Sequence, residues 1–204
     1  MNTPCLVRED SSSRPLSVAM NADSGEKTWL TPPHIIEALG PFDLDPCCPP
    51  NMPWQTAAQM VCRPDDGLAV DWTGKRVWLN PPYGREAMPF LRKMAKTGEG
   101  GGILLVFART DTSAWQDWIF PYAYGILFLR GRLRFCHPDG TPGETATAPS
   151  ALVAYSESDS LRLRSSKIAG TFLQVKSNCP IPVQISFDRD LPAKIERMKI
   201  GTFS

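Results

Sequence analysis

The chain has 204 residues, room for one domain with its own core and too few for two comfortable ones. Lys and Arg number 22 against 21 Asp and Glu, a net charge of +1, so no overall field points to a nucleic-acid or membrane partner and any such contact needs locally gathered charge. A hydrophobic content of 42% is ordinary for a soluble globular protein, and nothing approaches the roughly 18 consecutive apolar residues of a membrane span.

Residues 1–27 contain no apolar core of signal-peptide length and are expected to be a flexible lead-in, with residues 28–204 as one domain. "TPPHIIEALG" predicts a helix with Thr31 as N-cap, prolines in its first turn and Gly40 at its stop. "FDLD", Phe42 to Asp45, predicts a short strand broken by Pro46. "RVWL", Arg76 to Leu79, predicts a second strand that ends at Asn80. A helix over "EAMPFLRKMAK" follows, with Pro89 tolerable near its start. "GGILLVFA", Gly101 to Ala108, is a continuous apolar run, the pattern of a strand covered on both faces. "TDTSAWQDWIF" restarts a helix, "YGILFLRGRLRF" carries two strands around Gly131, and "APSALVAYS" carries another.

Beyond Ser156, "TFLQV" and "VQISF" alternate like strands and "LPAKIERMKI" has helical character, in a part that is peripheral or DNA-facing. Strand–helix alternation followed by successive strands predicts an α/β fold, a mostly parallel sheet with an antiparallel hairpin at its edge. Twenty prolines, against a typical ~5% of residues, imply short elements joined by fixed turns.

Six cysteines are scattered without any Cys-x-x-Cys pair, so no metal site is expected and reduced, mostly buried thiols are. Five of the tryptophans, Trp29, Trp72, Trp78, Trp115 and Trp118, are expected to pack, Trp29 being the one that borders a candidate site. Ligands of open α/β sheets bind outside the carboxyl ends of the strands. Asp43, Asp45, Asn80 and the stretch from Arg109 to Asp111 all fall at such predicted ends.

The most informative stretch is "LNPPYG", Leu79 to Gly84, directly after a buried strand. A planar exocyclic amine is a poor nucleophile because its lone pair is delocalised into the ring. Two acceptors aimed at its hydrogens favour a tetrahedral nitrogen and localise that pair. The Asn80 side-chain oxygen and the Pro81 carbonyl are such acceptors, and proline fixes φ, so the carbonyl direction is set. Pro82 stiffens the turn, and Tyr83 offers a face for a heteroaromatic ring. Together they form an electrostatic device built before a substrate arrives. The bland alternative is a proline-rich turn with no chemistry.

On these residues the chain resembles the phage-type DNA N(6)-adenine methyltransferases, the Dam-like enzymes of phages and prophages. "WLTPPHIIEALGPFDLDPC", "DDGLAVDWTGKRVWLNPPYG", "ARTDTSAW", "FLRGRLRF" and "APSALV" occur in that family's order, from Trp29 to Tyr155. The resemblance implies a Rossmann-like class I methyltransferase fold, S-adenosylmethionine as cofactor and adenine in double-stranded DNA as substrate. It makes Asn80, Pro81, Pro82 and Tyr83 the catalytic motif. It implies a cofactor-binding set of Trp29, Thr31, Pro32, Asp43, Asp45, Pro46 and Cys47, with Asp66 a candidate for the cofactor's ribose or adenine. The glycine-rich turn that the wider superfamily carries after Asp-Pro is replaced by "CCPPN".

The implied reaction is direct transfer of the sulfonium methyl group to the 6-amino nitrogen of a flipped-out adenine, with neither Cys47 nor Cys48 as nucleophile. Arg109, Arg130, Arg132 and Arg134 are the DNA-contact candidates, Arg162, Arg164 and Lys167 form a second basic cluster, and His137 to Ala148 is expected to be a mobile loop. The cytoplasm of a bacterial host follows as the setting. The resemblance leaves open the target sequence, the oligomeric state and whether the mark counters restriction or serves the phage life cycle. Two rivals stand beside it: an aminomethyltransferase acting on RNA or on a protein glutamine, and an inactive methyltransferase fold that only binds DNA.

Overall fold

The computed structural model describes residues 29–97 and 100–175. The lead-in, the "VQISF" and "LPAKIERMKI" predictions, Cys5 and Cys179 lie outside the described residues. Strands β1 (Leu44–Cys48), β2 (Gln59–Cys62), β3 (Val77–Leu79), β4 (Gly102–Phe107), β5 (Gly125–Leu129), β8 (Ser150–Ala154) and β9 (Gly170–Gln174) form one sheet in the order β2-β1-β3-β4-β8-β5-β9. Strands β6 (Arg134–Cys136) and β7 (Pro142–Thr145) form a separate ribbon. The helices are α1 (Pro33–Leu39), α2 (Ala87–Lys96) and α3 (Glu157–Ser165), with a π-helical turn at Ala114–Ile119 in place of the α-helix expected there.

The expected α/β class holds, and the sheet is mixed. β2, β1, β3 and β4 pair in parallel, while β4–β8, β8–β5 and β5–β9 are antiparallel. The antiparallel part is therefore larger than an edge hairpin, because β8 inserts between β4 and β5. The strands on either side of Gly131 do not pair with each other, since β5 joins the large sheet and β6 the ribbon.

Alternation along the strands divides two cores. Val77, Leu79 and Leu104 face α2 and the π-helical turn through Leu91, Met94, Trp115 and Ile119. Trp78, Ile103, Leu105 and Leu152 face α1 and α3 through Ile35, Leu39 and Leu163. Burying strands on both faces explains the uninterrupted apolar reading of β4. Pro89 sits in the first turn of α2, where its missing N–H would have had no helical partner.

Three local expectations change. β1 starts at Leu44 and runs through Pro46 to Cys48, and its register with β2 breaks between Asp45 and Cys48, where proline's missing donor costs nothing. Thr31 is not the N-cap of α1. Pro32 holds that position without a side-chain cap, and the Thr31 side chain is turned into the interior. Cys48 and Cys62 are not separate thiols. They stand opposite each other on β1 and β2, Cα atoms 4.4 Å apart, and are disulfide-bonded. Among the described residues Cys47 and Cys136 are free.

At the amino ends of β3 and β4 a buried ion pair ties the layers together. Arg76 Nε donates to Asp159 Oδ1 at 2.6 Å, and its other nitrogens reach the carbonyls of Leu39 and Pro41. Asp159 Oδ2 accepts from the Gly102 N–H at 2.7 Å and from Ser156 Oγ at 2.6 Å. Gly102 has φ +128° and its Cα lies against the Val77 carbonyl, a place where only glycine fits. No helix among the described residues is long and apolar enough to cross a membrane.

Candidate active site

At the carboxyl ends of β1 and β3 the chain gathers its interrupting polar residues. Asn80 follows β3 directly, and the segment Trp29–Thr31 is held over it by a two-way backbone bridge. Leu30 N–H donates to the Cys136 carbonyl and Cys136 N–H to the Leu30 carbonyl, each at 2.9 Å. Trp29, Thr31, Asp45, Cys47, Thr56 and Asn80 line one narrow cleft there. Five of these six were predicted from sequence.

Thr31 is 2% exposed, and its Oγ1 accepts a hydrogen bond from Asn80 Nδ2 at 3.2 Å. The other half of the Asn80 amide, Oδ1, is buried and meets no partner among the described residues. A buried acceptor without a donor costs about 1–3 kcal/mol, so this oxygen is available to a donor that enters the cleft.

Asp45 is 4% exposed. Its Oδ2 accepts from Thr56 Oγ1 at 2.5 Å and its Oδ1 from the Cys47 N–H at 3.0 Å. Burial outweighs both bonds and pushes its pKa from 3.8 to about 6. The unfolded chain therefore ionises first, so this site's contribution to stability is full below 3.8 and is lost as pH rises through about 6. About two pH units at 1.36 kcal/mol each make the loss ~3 kcal/mol. Asp45→Asn is expected to remove that slope and to melt higher than the parent at pH 7.5. Parallel melting-temperature curves for the two proteins from below pH 3.8 to above pH 6 would contradict it.

Tyr83 lies beyond the cleft with its ring stacked on Phe107, centroids 4.2 Å apart at 13°, and edge-on to Phe135. One of its faces is thus already covered. Its hydroxyl is buried without a partner among the described residues, and burial pushes the phenol's pKa up. The Arg109 guanidinium lies 5.7 Å from the Phe107 ring, on the carboxyl side of β4. Burial raises the Cys47 thiol's pKa as well, with the neighbouring Asp45 charge adding to it, so no thiolate stands ready beside the cleft.

Two predicted cofactor residues are not among those that line the cleft. Asp43 precedes β1 and accepts from the Arg76 N–H at 2.8 Å, at the amino end of the strands. Asp66 is exposed, and its Oδ1 accepts from the Leu68 N–H at 2.8 Å, capping its own turn. Pro32 and Pro46 are buried beside the cleft residues as scaffold, and the backbone of Gly67 lies so close to the Pro46 carbonyl that a Cβ would come within 1.8 Å. Arg130, Arg132 and Arg134 are all exposed, and none of them, nor Arg109, pairs with a carboxylate among the described residues.

The stretch His137 to Ala148 is not a free loop. It contributes β7, its turn is pinned by Asp139 to Thr141, and His137 packs on Trp29 with ring centroids 5.6 Å apart. Sequence reasoning missed Thr56, which sits in an irregular segment with no motif around it, and Phe107, whose apolar run marks only a strand. Among the described residues no cluster of three or more His, Cys, Asp or Glu is arranged to hold a metal.

The family described as DNA N-6-adenine-methyltransferase (Dam) matches this chain over residues 19–163. A DNA N-6-adenine-methyltransferase of Haemophilus phage HP1 (strain HP1c1) is 25% identical over 141 residues, covering 65% of this chain and 80% of that protein. No solved structure matches significantly.

Proposed function

The chain belongs to the DNA N-6-adenine-methyltransferase (Dam) family, and from that premise we propose that it moves a methyl group from S-adenosylmethionine to the 6-amino nitrogen of an adenine flipped out of duplex DNA. The observation that carries this reading is the buried, unpartnered Oδ1 of Asn80 at the carboxyl end of β3. An exocyclic amine supplies the missing donor. Oδ1 accepts one of its N–H groups and the Pro81 carbonyl the other, which localises the nitrogen lone pair towards the methyl donor.

S-adenosylmethionine is assigned to this cleft on its position and on the family. It lies at strand carboxyl ends, and the buried acid Asp45 is among its lining residues. Trp29, Asp45 and Cys47 would hold that cofactor, with Thr31, Pro32 and Pro46 as scaffold. When bound, it supplies an electrophilic methyl group on a sulfonium. Asp43 has no part in this reading, because it stands at the amino ends of the strands, whereas Asp66, exposed beside Gly67, stays a candidate for the cofactor's ribose or adenine.

Extrusion of the base costs a few kcal/mol of unstacking, offset in part by stacking on Tyr83. The parallel half of the sheet, with its functional residues at the carboxyl ends, supports a Rossmann-like class I methyltransferase fold, one domain over residues 28–204. The reading places the protein in the host cytoplasm, where the DNA is.

Arg109, Arg130, Arg132 and Arg134 are assigned to the DNA backbone. Arg130→Ala and Arg132→Ala are each expected to weaken duplex binding uniformly across sequences and to lower the salt-dependence slope by about one. An unchanged slope would remove them from the interface. The acceptor class is tested by offering labelled S-adenosylmethionine with duplex DNA, RNA and a glutamine peptide in one mixture. Label in DNA is expected. Label in RNA or peptide favours the corresponding aminomethyltransferase, and cofactor binding without any transfer favours an inactive DNA-binding fold.

A further inference from the structure

We infer that Thr31 is a positioning residue for methyl transfer: its hydroxyl fixes the rotation of the Asn80 amide so that Oδ1, and not Nδ2, faces the target amine. The inference rests on the adenine reading above. An asparagine amide is nearly symmetric in shape, and its terminal torsion has a broad two-fold preference, so packing alone does not choose between its ends. A threonine hydroxyl can accept from Nδ2 or donate to Oδ1, and the arrangement present is the first, the one that leaves Oδ1 for an incoming amine. Thr31 Oγ1 stands 3.2 Å from Nδ2 and accepts from it, which leaves Oδ1 buried and unpartnered on the other side. In the inverted amide, Nδ2 would meet the amine donor to donor and the reaction's acceptor would be spent on Thr31.

The threonine is itself held in place. It is 2% exposed, it is followed by the buried Pro32, and it is preceded by Leu30 with its two-way bridge to Cys136. A β-branched side chain is stiff about χ1, so the hydroxyl keeps its direction. Thr31 thus acts on the reaction through Asn80, separately from any contact with the cofactor.

The test uses the full chain, unmethylated duplex DNA of mixed sequence and S-adenosylmethionine. It measures cofactor affinity by titration and single-turnover methyl transfer at saturating cofactor. Thr31→Val keeps the shape and deletes the acceptor, Thr31→Ala deletes it without adding a methyl group should the valine variant not fold, and Thr31→Ser restores it. The valine and alanine variants are expected to transfer on the order of tenfold more slowly with cofactor affinity within about twofold of the parent, and the serine variant to stay near the parent rate. A valine variant at the parent rate, a defect that vanishes when cofactor is raised, or a serine variant as slow as valine overturns the inference. If the parent itself makes no 6-methyladenine, the adenine reading fails first and the inference falls with it, so the two failures are told apart by the parent control.

Discussion

Asn80→Ala is expected to lower methyl transfer to DNA adenine by roughly 10²–10³-fold, the loss that follows removal of one preorganised donor or acceptor at a reacting centre. Cofactor affinity is expected to change little. The cleft retains Trp29, Thr31, Asp45 and Cys47, and the deleted atom is the one that meets no partner in the resting protein. Asn80→Asp keeps acceptor oxygens but cannot donate to Thr31, so its rate is expected to fall between those of the parent and the alanine variant. Burst-phase transfer at saturating cofactor measures both. An alanine variant within a few-fold of the parent would remove Asn80 from the chemistry.

Asp159→Ala is expected to cost about 3–5 kcal/mol of stability, the penalty for breaking a buried ion pair by removing one partner. The Asp159 side chain is 1% exposed and that of Arg76 16%. Without the carboxylate, the Arg76 guanidinium keeps only carbonyl partners and the face of Phe42, 4.2 Å away. The Gly102 N–H and the Ser156 hydroxyl lose their acceptor at the same time. Ser156 also caps α3 by accepting from the Asp159 N–H at 3.1 Å, so the first turn of that helix loosens with the pair. Urea unfolding checks this, and a midpoint close to the parent's would show that the pair is not needed. The network lies at the amino ends of β3 and β4, opposite the cleft, so this effect falls on stability, whereas that of Asn80→Ala falls on rate.

The sequence made the candidate-site end of the sheet legible because that end is built from local signals. "VWLNPPY" changes from apolar to polar to rigid within seven residues, and β3 ends at that change. The run behind β4 is apolar on both faces for the same local reason. What was not legible depends on pairing between distant segments. "FDLD" places Asp43 and Asp45 together at a strand end, but the strand starts at Leu44 and continues to Cys48, which carries Asp43 to the opposite end of the sheet from Asn80. Pro46 misled because it normally stops a strand, and here it coincides with a register break.

β2 has the composition "QMVC" with one fully buried residue, too little pattern to mark a strand, and the disulfide it makes with β1 follows from that unseen pairing. The position of β8 inside the sheet likewise follows from contacts between segments more than forty residues apart, Ile103 with Ala154 and Leu105 with Leu152. Thr31 shows the same limit at the site. Local rules give it a helix-capping role, and the fold gives its hydroxyl to Asn80, 49 residues away.

In the proposed reaction Asn80 Oδ1 accepts from the 6-amino group of adenine. The most direct test is to methylate unmodified duplex DNA with the intact chain and labelled S-adenosylmethionine, digest the DNA to nucleosides and identify the labelled one. 6-Methyladenine is expected as the labelled nucleoside, with the label lost when Asn80→Ala replaces the parent. A labelled cytosine derivative, or unlabelled DNA from a folded protein that binds the cofactor, would contradict it.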